Sequence, residues 1–208
     1  MILCDIGNTT FHFLINGVHK RYLLNEELPF LEGDIYFISV NEKATQKLNE
    51  TYESCINVES FLDFKTSYIG MGLDRKIACV GYKDAVIVDA GSAITVDVMK
   101  DGLHEGGIIL PGLKKLQELY ASTSSKLDYE INTKVNLDKI PLCTQDAISY
   151  SILKSIILPI KEITQNQRVI FIGGDGEFLS RHFDNAVYKN DLIFENMKGI
   201  IDANNCIT

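Results

Sequence analysis

Short apolar runs of strand length open the chain, and residues typical of turns separate them. The first three runs cover Ile2–Ile6, Phe11–Ile15 and Arg21–Leu24, with Gly7-Asn8 and Asn16-Gly17 between them. Runs of this length joined by such dipeptides predict an antiparallel three-stranded meander. A fourth run, Ile35–Val40, predicts a buried strand, and residues 42–52 have the polar composition of a surface helix.

The same pattern restarts in the second part of the chain. Apolar, largely β-branched runs follow one another at Ala85–Asp89, Ile94–Met99 and Gly107–Leu110. Asp101-Gly102 and Gly106-Gly107 break these runs, so they predict a second three-stranded meander.

Helical patterns follow this second meander. We expect a helix through Ala121 with Pro111 in its first turn, where the fixed φ of proline suits a helix. A longer apolar-periodic segment reaches about Glu162, with Thr144 as a plausible N-cap and Pro159 as a kink or break. The last predicted elements are a strand at Val169–Ile172, the glycine turn Gly173–Gly176 and a short helix ending near Phe183.

The order strand, acid-glycine turn, strand, strand, helix therefore occurs twice, with the acids at positions 5 and 89. This repeat predicts an α/β fold built from two similar halves, residues 1–80 and 81–208. Two unrelated meanders remain the alternative, because the sequence identity between the halves is weak.

Composition narrows the class of partner. The chain has 208 residues, a formal net charge of −8 and no run of Lys or Arg, so a nucleic-acid backbone is an unfavourable partner. Five scattered cysteines show neither a disulfide framework nor a metal-binding spacing. No window reaches the roughly 18 consecutive apolar residues of a membrane span, and no leader pattern precedes Ile2. We expect a soluble, cytoplasmic protein with free thiols.

Two acid-glycine-hydroxyl segments carry the chemistry, Asp5-Ile6-Gly7-Asn8-Thr9 and Asp89-Ala90-Gly91-Ser92. In a hairpin after a strand, backbone N–H groups and hydroxyls can face phosphate oxygens, while Asp5 can hold a Mg²⁺ ion that bridges the phosphates. One such segment alone could be an ordinary hairpin turn. Two at equivalent places predict a polyphosphate clamp of the actin- and hexokinase-like ATPase class, with Gly173–Gly176 near an adenine or ribose. Neither a P-loop nor a dinucleotide fingerprint is present.

Asp74 and Arg75, in Gly70-Met71-Gly72-Leu73-Asp74-Arg75, form the third candidate group. An acid beside a base at a helix start could be a cap and a surface cation. A kinase, however, needs a carboxylate to orient or deprotonate the acceptor hydroxyl, and an arginine suits an acceptor that bears a carboxylate.

Together these segments resemble type III pantothenate kinase. The matching motifs keep the family's order over nearly the whole chain: DIGNT at 5–9, GLDR at 72–75, DAGSAITVD at 89–97, GGIILPG at 106–112, Thr144 before a long helix, and IGGDG at 172–176. The resemblance implies the duplicated ribonuclease H-like (actin-like ATPase) fold, with two βββαβα-type halves and the active site in the cleft between them.

The resemblance also implies the reaction, which is phosphorylation of pantothenate by ATP in the first step of coenzyme A biosynthesis. It implies a homodimer that requires K⁺ or NH₄⁺, held by Asp89, with Asp74 as general base. The implied ATP-binding residues are Asp5, Ile6, Gly7, Asn8, Thr9, Thr10, Phe11, His12 and Ser92. The implied pantothenate-binding residues are Tyr68, Gly72, Leu73, Asp74, Arg75 and Thr144.

Some points stay open. The family usually has Thr where this chain has Ser92, and Tyr68 could equally be a core or surface aromatic. The four histidines show no pairing, and we read His19, His104 and His182 as structural or exposed. A helix apolar on more than one face, Thr144–Glu162, could be a dimer surface or could be buried within one subunit. Another small-molecule kinase and a non-catalytic regulator are the alternative functions.

Overall fold

The computed structural model describes residues 1–165 and 167–206. In chain order its elements are β1 (Ile2–Ile6), β2 (Thr10–Ile15), β3 (Val18–Leu23), β4 (Ile35–Ser39), α1 (Glu42–Thr51), β5 (Cys55–Asn57), α2 (Leu73–Cys79), β6 (Ala85–Ala90), β7 (Ala93–Lys100), β8 (Leu103–Pro111), α3 (Leu113–Thr123), α4 (Thr144–Thr164), β9 (Val169–Ile172), α5 (Gly176–Ser180), β10 (Ala186–Tyr188) and α6 (Leu192–Asn205). Short 3-10 helices add Val58–Phe61 and Ser125–Leu127.

The strands form two five-stranded sheets with the same topology. The first has the order β3-β2-β1-β4-β5, and the second, read from its other edge, has the order β8-β7-β6-β9-β10. In each sheet the first strand is antiparallel to the second and parallel to the fourth. The predicted α/β repeat is therefore confirmed.

The chain divides into two compact units. The first unit contains residues 1–81 together with the segment from Asp191, and the second contains residues 82–190. The predicted halves differ from these units in the C-terminal segment, because α6 packs Phe194, Met197 and Ile201 against Leu3 and Ile77. The two halves as ancestral repeats stay a prediction.

Alternating strand residues cover both faces of the first sheet. On one face Leu3, Leu14 and Ile38 pack against α2 and α6, which completes one apolar cluster. On the other face the cluster contains Cys4, Ile6, Phe11, Phe13, Phe37 and, from α1, Ala44 and Leu48. Successive side chains of a strand point to opposite faces, and this alternation is enough to separate the two clusters.

The second unit builds its core on α4. Val88, Val96 and Phe171 from its sheet pack against this helix. The apolar residues of α4 that pointed to a partner surface are mostly part of this core: Ile148, Ile152, Ile156, Ile157 and Ile160 are buried, and only Leu158, 54% exposed, faces outward. They therefore support burial within the unit.

Several predicted element ends are wrong. Pro111 is the last residue of β8, an edge strand that tolerates a missing N–H group, and α3 begins only after Gly112. The N-cap of α4 is Cys143 rather than Thr144, and the helix continues beyond Pro159 to Thr164. Within the described residues, no helix is both long and apolar enough to cross a membrane.

Candidate active site

The first acid-glycine segment is the hairpin loop between β1 and β2. Asp5 is the next-to-last residue of β1 and lies opposite His12 on β2. The N–H of Gly7 donates to the carbonyl of Thr10 at 3.0 Å and closes the turn, which leaves the side chains of Asn8 and Thr9 exposed. These hydroxyl and amide groups are therefore accessible to a ligand.

Two other predicted ATP-binding residues of this hairpin point into the core. The side chains of Ile6 and Phe11 are fully buried, and both belong to the cluster between the sheet and α1. They can therefore offer a ligand only backbone groups. Thr10 is partly buried between them and the exposed loop.

The second acid-glycine segment is the equivalent loop between β6 and β7. Asp89 is again the next-to-last residue of its strand and lies opposite Thr95. The N–H of Gly91 donates to the carbonyl of Ala93 at 3.0 Å, and Ser92 is exposed at the tip. The two acids thus occupy equivalent positions in the two units.

Two glycines from other segments press against this second loop. The N–H of Gly112 donates to the carbonyl of Ser92 at 3.2 Å, and a side chain at position 112 would overlap the backbone oxygens of Gly91 and Ser92. Gly173 has φ +82°, and its Cβ would lie 2.5 Å from a carboxylate oxygen of Asp89. Only glycine fits at these two positions, so the loop and Asp89 are held by close backbone contacts.

The GLDR segment begins α2. Gly72 is the N-cap, and Asp74 and Arg75 lie in the first turn. Oδ1 of Asp74 accepts a hydrogen bond from the N–H of Arg75 at 2.8 Å. A Cβ at position 72 would lie 2.5 Å from the same Oδ1, so the glycine leaves room for the carboxylate.

Arg75 is buried beside the predicted substrate tyrosine. The residue is only 6% exposed, and its guanidinium carbon lies 4.7 Å from the centre of the Tyr68 ring. The structure thus brings Tyr68, Gly72, Asp74 and Arg75 together in the first unit.

Each unit has a cavity beside these segments. In the first unit a cavity of about 490 Å³ is lined by polar residues at the carboxyl end of β4, including Ser39 and Asn41, and by Gly72 and Leu73. In the second unit a cavity of about 390 Å³ is lined by α3 and by Asp175 of the glycine turn. Burial raises the pKa of Asp175 above its ordinary value.

Thr144 and the two predicted cation-binding acids, Asp5 and Asp89, are the remaining predicted site residues. Thr144 is exposed at the first position of α4, in the same unit as Asp89 and Ser92 but on a different element. Within residues 1–165 and 167–206, no group of three or more His, Cys, Asp or Glu side chains could hold a metal ion. A cation at Asp5 or Asp89 therefore needs further oxygen ligands from backbone carbonyls, water or phosphate, which are ligands that Mg²⁺ and K⁺ accept.

The family model described as type III pantothenate kinase matches residues 21–166 of the chain. The chain belongs to this family. A type III pantothenate kinase from Helicobacter hepaticus is 44% identical over 205 residues, which are 97% of this chain and 98% of that protein. The resemblance read from the motifs is thereby confirmed.

Two solved structures match the chain along nearly its whole length. A Campylobacter jejuni protein assigned to the Baf family of transcriptional activators matches with a TM-score of 0.90 and 41% identity, over 98% of both chains. A 2-dehydro-3-deoxygalactonokinase-type protein from Sinorhizobium meliloti matches with a TM-score of 0.60 at 9% identity, over 97% of this chain and 96% of that one. The second likeness shows the fold alone, and it confirms the predicted actin-like ATPase fold.

The prediction that the histidines show no pairing is wrong for His12, His19 and His104. Nε2 of His12 lies 2.9 Å from Nδ1 of His19, whose Nε2 lies 3.1 Å from a carboxylate oxygen of Asp191. Nε2 of His104 lies 2.9 Å from Oδ1 of Asp97, and this pair is almost fully buried. Both pairs join residues seven apart across a hairpin, where the strand register makes them diagonal neighbours. A search for metal-ligand spacing misses this separation.

Proposed function

We propose that this chain transfers the terminal phosphoryl group of ATP to the primary hydroxyl of pantothenate, the first step of coenzyme A biosynthesis. The observation that carries the proposal is the match to a type III pantothenate kinase over 97% of the chain at 44% identity. The arrangement of Gly72, Asp74 and Arg75 in one helical turn supports it.

In this proposal the two hairpin loops hold the nucleotide. Backbone N–H groups of the loop from Asp5 to His12, with the exposed side chains of Asn8 and Thr9, bind phosphate oxygens, and Ser92 contributes its hydroxyl from the second loop. Asp5 would hold Mg²⁺ together with the phosphates, and Asp89, fixed by Gly173, would hold K⁺ or NH₄⁺. These cations, when bound, neutralise charge on the phosphates. The cavity beside Asp175 is the place we assign to the nucleoside.

The GLDR segment receives the acceptor. Asp74 orients the hydroxyl of pantothenate and takes its proton, since its partly buried carboxylate lies beside Gly72 and accepts a hydrogen bond from the N–H of Arg75. Arg75 binds the carboxylate of pantothenate. Gly72 and Leu73 line the adjoining cavity, and Thr144 supplies a further hydroxyl. Since phosphoryl transfer passes through a loose transition state, positioning of the two reactants is the main contribution of these residues.

A coupled assay of ADP release tests the reaction. Wild-type protein should turn over ATP only with pantothenate present, and faster in K⁺ than in Na⁺. Asp74→Asn should lower kcat by about 100-fold or more while ATP binding, measured by calorimetry, is largely kept. Asp202→Asn, an exposed acid on α6, is the matched control and should have wild-type activity. Wild-type turnover in Asp74→Asn would remove this residue from the mechanism.

The two alternative functions predict different results in the same assay. Another kinase of this fold would prefer a sugar or a small acid to pantothenate, and a regulator would release no ADP with any acceptor. The family model and the curated relative are both named type III pantothenate kinase, so neither alternative is favoured. A net charge of −8 also makes DNA an unfavourable partner for a regulator.

Assembly and location complete the proposal. We place the enzyme in the cytoplasm as a homodimer, as the family resemblance implies. Sedimentation equilibrium should then give about twice the 23.3 kDa mass of the chain. A single species of chain mass at assay concentrations would contradict the dimer and leave the proposed reaction untouched.

A further inference from the structure

The helix α2 is too short to fix its own position. It has only seven residues, Leu73–Cys79, and an isolated helix of this length is marginal in water. Its placement therefore depends on the elements that pack against it. Leu73 and Ile77 belong to the apolar cluster that α6 completes with Phe194 and Met197. Because the hydrophobic effect is non-directional, this packing holds α2 against α6 but does less to fix its orientation.

A directional contact to α2 comes from Asn196 on α6. Its Nδ2 donates to the carbonyl of Ile77 at 2.7 Å and to that of Ala78 at 3.4 Å. Carbonyls at the end of a helix have no partner within the helix, and besides Asn196 the N–H of Val80 donates to the carbonyl of Ile77, at 3.2 Å. Both partners of Nδ2 are acceptors, so the amide must present its NH₂ group on this side. Asn196 thus caps the carboxyl end of α2 from a position 119 residues later in the chain.

The amino end of α2 carries the carboxylate proposed to act on the acceptor. Asp74 lies in the first turn, and its Oδ1 accepts a hydrogen bond from the N–H of Arg75 at 2.8 Å, so the carboxylate follows any movement of the helix backbone. At the rise of an α-helix, Asp74 and Ile77 are about 4.5 Å apart along the axis, which is less than one turn. A shift at the capped end therefore reaches Asp74 almost undiminished.

We propose that Asn196 is a positioning residue for the acceptor, which acts by fixing α2 and thereby the carboxylate of Asp74. This role rests on the proposed function of Asp74 as the base. Asn196 is partly buried, so its hydrogen bonds contribute modestly to stability. A misplacement of about 1 Å at a reacting group, in contrast, can lower a rate by about 100-fold. The contact therefore matters more for catalysis than for stability.

The test separates the acceptor from the nucleotide. Asn196→Ala removes the amide donor and should raise the KM for pantothenate about 3- to 10-fold and lower kcat about 10-fold, a combined loss that two hydrogen bonds can account for. The KM for ATP should stay within about twofold, because the loops proposed to hold the nucleotide belong to other elements. Asn196→Gln keeps an amide donor and should restore the KM for pantothenate and kcat to within about threefold of wild type.

A double variant shows whether Asn196 acts through Asp74. Asp74→Asn already lacks the base, so adding Asn196→Ala should lower kcat by less than about a further twofold. Hydrogen exchange in residues 73–80 gives a second readout that needs no substrate. Exchange there should accelerate in Asn196→Ala and stay near the wild-type rate in Asn196→Gln.

The matched control is an asparagine on the last turn of the same helix. Asn204→Ala should leave the exchange rates of residues 73–80 and both KM values unchanged. Thermal unfolding establishes that each variant is folded. Asn196→Leu, which has the branched shape of asparagine without its donor, keeps the comparison available where Asn196→Ala is unstable.

Three outcomes would overturn the role and keep the proposed reaction. Wild-type exchange and a wild-type KM for pantothenate in Asn196→Ala would show that apolar packing alone places α2. A lower kcat in Asn196→Ala with both KM values unchanged would show only a loss of folded protein. Fully multiplicative effects of the two substitutions on kcat would show that Asn196 does not act through Asp74. Wild-type protein that ignores pantothenate would instead overturn the proposed function and, with it, this role.

Discussion

The two units share one strand order but hold their equivalent hairpin loops differently. In the first unit a Cβ added at Gly7 would meet only the carbonyl oxygen of Thr10, at 3.8 Å. In the second unit Gly112 and Gly173 lie so close to the loop after Asp89 that no side chain fits at either position. Gly91, the equivalent of Gly7, has similar space, so the difference lies in the two glycines from other segments that pack tightly against the second loop.

The connections that follow the third strand explain part of this difference. In the first unit residues 24–34 cross to β4 without a helix, and in the second unit residues 112–168 cross to β9 with α3 and α4. Both connections begin with a hydrogen bond to the loop, from Leu24 N–H to Thr9 and from Gly112 N–H to Ser92. Equal topology thus places the acids, and the crossover decides how rigidly the loop beside each acid is held.

The largest loss of stability should come from adding one methyl group at Gly112, which packs against the loop after Asp89. Gly112→Ala would drive a Cβ into the backbone oxygens of Gly91 and Ser92, which cannot move aside as a flexible side chain does, so we expect a loss of about 3 kcal/mol of unfolding free energy. Gly7→Ala, in the open loop, should lose less than about 1 kcal/mol. Urea unfolding measures both, and equal midpoints for the two variants would refute the contrast between the loops.

The next largest loss of stability should occur at acidic pH, and mainly in the first unit. Burial, followed by the charge of Arg21 and the nearby His19, lowers the pKa of His12 to about 4. Below pH 6.5, the ordinary pKa of histidine, His12 is protonated in the unfolded chain but stays neutral in the folded chain. The free energy of unfolding therefore decreases as the pH falls from 6.5 to 4. Because the ring is only partly buried, solvent screening leaves a loss on the order of 1–2 kcal/mol.

His12→Gln tests this acid sensitivity. The variant should flatten the dependence of unfolding free energy on pH between 6.5 and 4, measured by urea unfolding at a series of pH values. Burial, followed by the charge of Lys161, also lowers the pKa of His182 in the second unit, so His182→Gln should flatten the curve as well. A His12→Gln curve parallel to that of wild type would show that another group titrates.

The smallest effect should come from the helix-free crossover of the first unit. Nζ of Lys47 on α1 donates to the carbonyls of Leu24 at 3.0 Å and Glu26 at 2.5 Å. Lys47→Met removes both hydrogen bonds and should cost about 1 kcal/mol, since the site is partly exposed. Hydrogen exchange in residues 24–34 should accelerate, while Lys43→Met, exposed on the same helix, should change nothing. Unaltered exchange in Lys47→Met would mean that apolar packing alone holds the connection.

Local patterns predicted most of the strands and both acid-glycine loops. Alternating apolar residues and turn dipeptides identify β1, β2, β6 and β7 within one residue at each end, because the strand period and the turn chemistry are short-range properties. The strands β5 and β10 have three residues each, too few to show a period. Their pairing with β4 and β9 comes from the parallel crossovers, which no local pattern encodes.

Parts of the site depend on spatial contacts that spacing does not show. The need for glycine at position 112 arises from a loop some twenty residues earlier, and the stacking of Tyr68 on Arg75 joins residues on either side of Gly70. The helix α6 itself could have been predicted, because Phe194, Met197 and Ile201 have the spacing of one face of a helix. Its place in the first unit, however, could not be predicted from its position at the end of the chain.

That placement of α6 has a consequence for synthesis on the ribosome. Leu3, Leu14 and Ile77 are translated long before Phe194, Met197 and Ile201, with which they form one cluster. Residues 82–190 carry all the strands and helices of the second unit and are complete before α6 emerges. The unit that is translated first is therefore the last to close its core, and until then its apolar face is a natural target for chaperones.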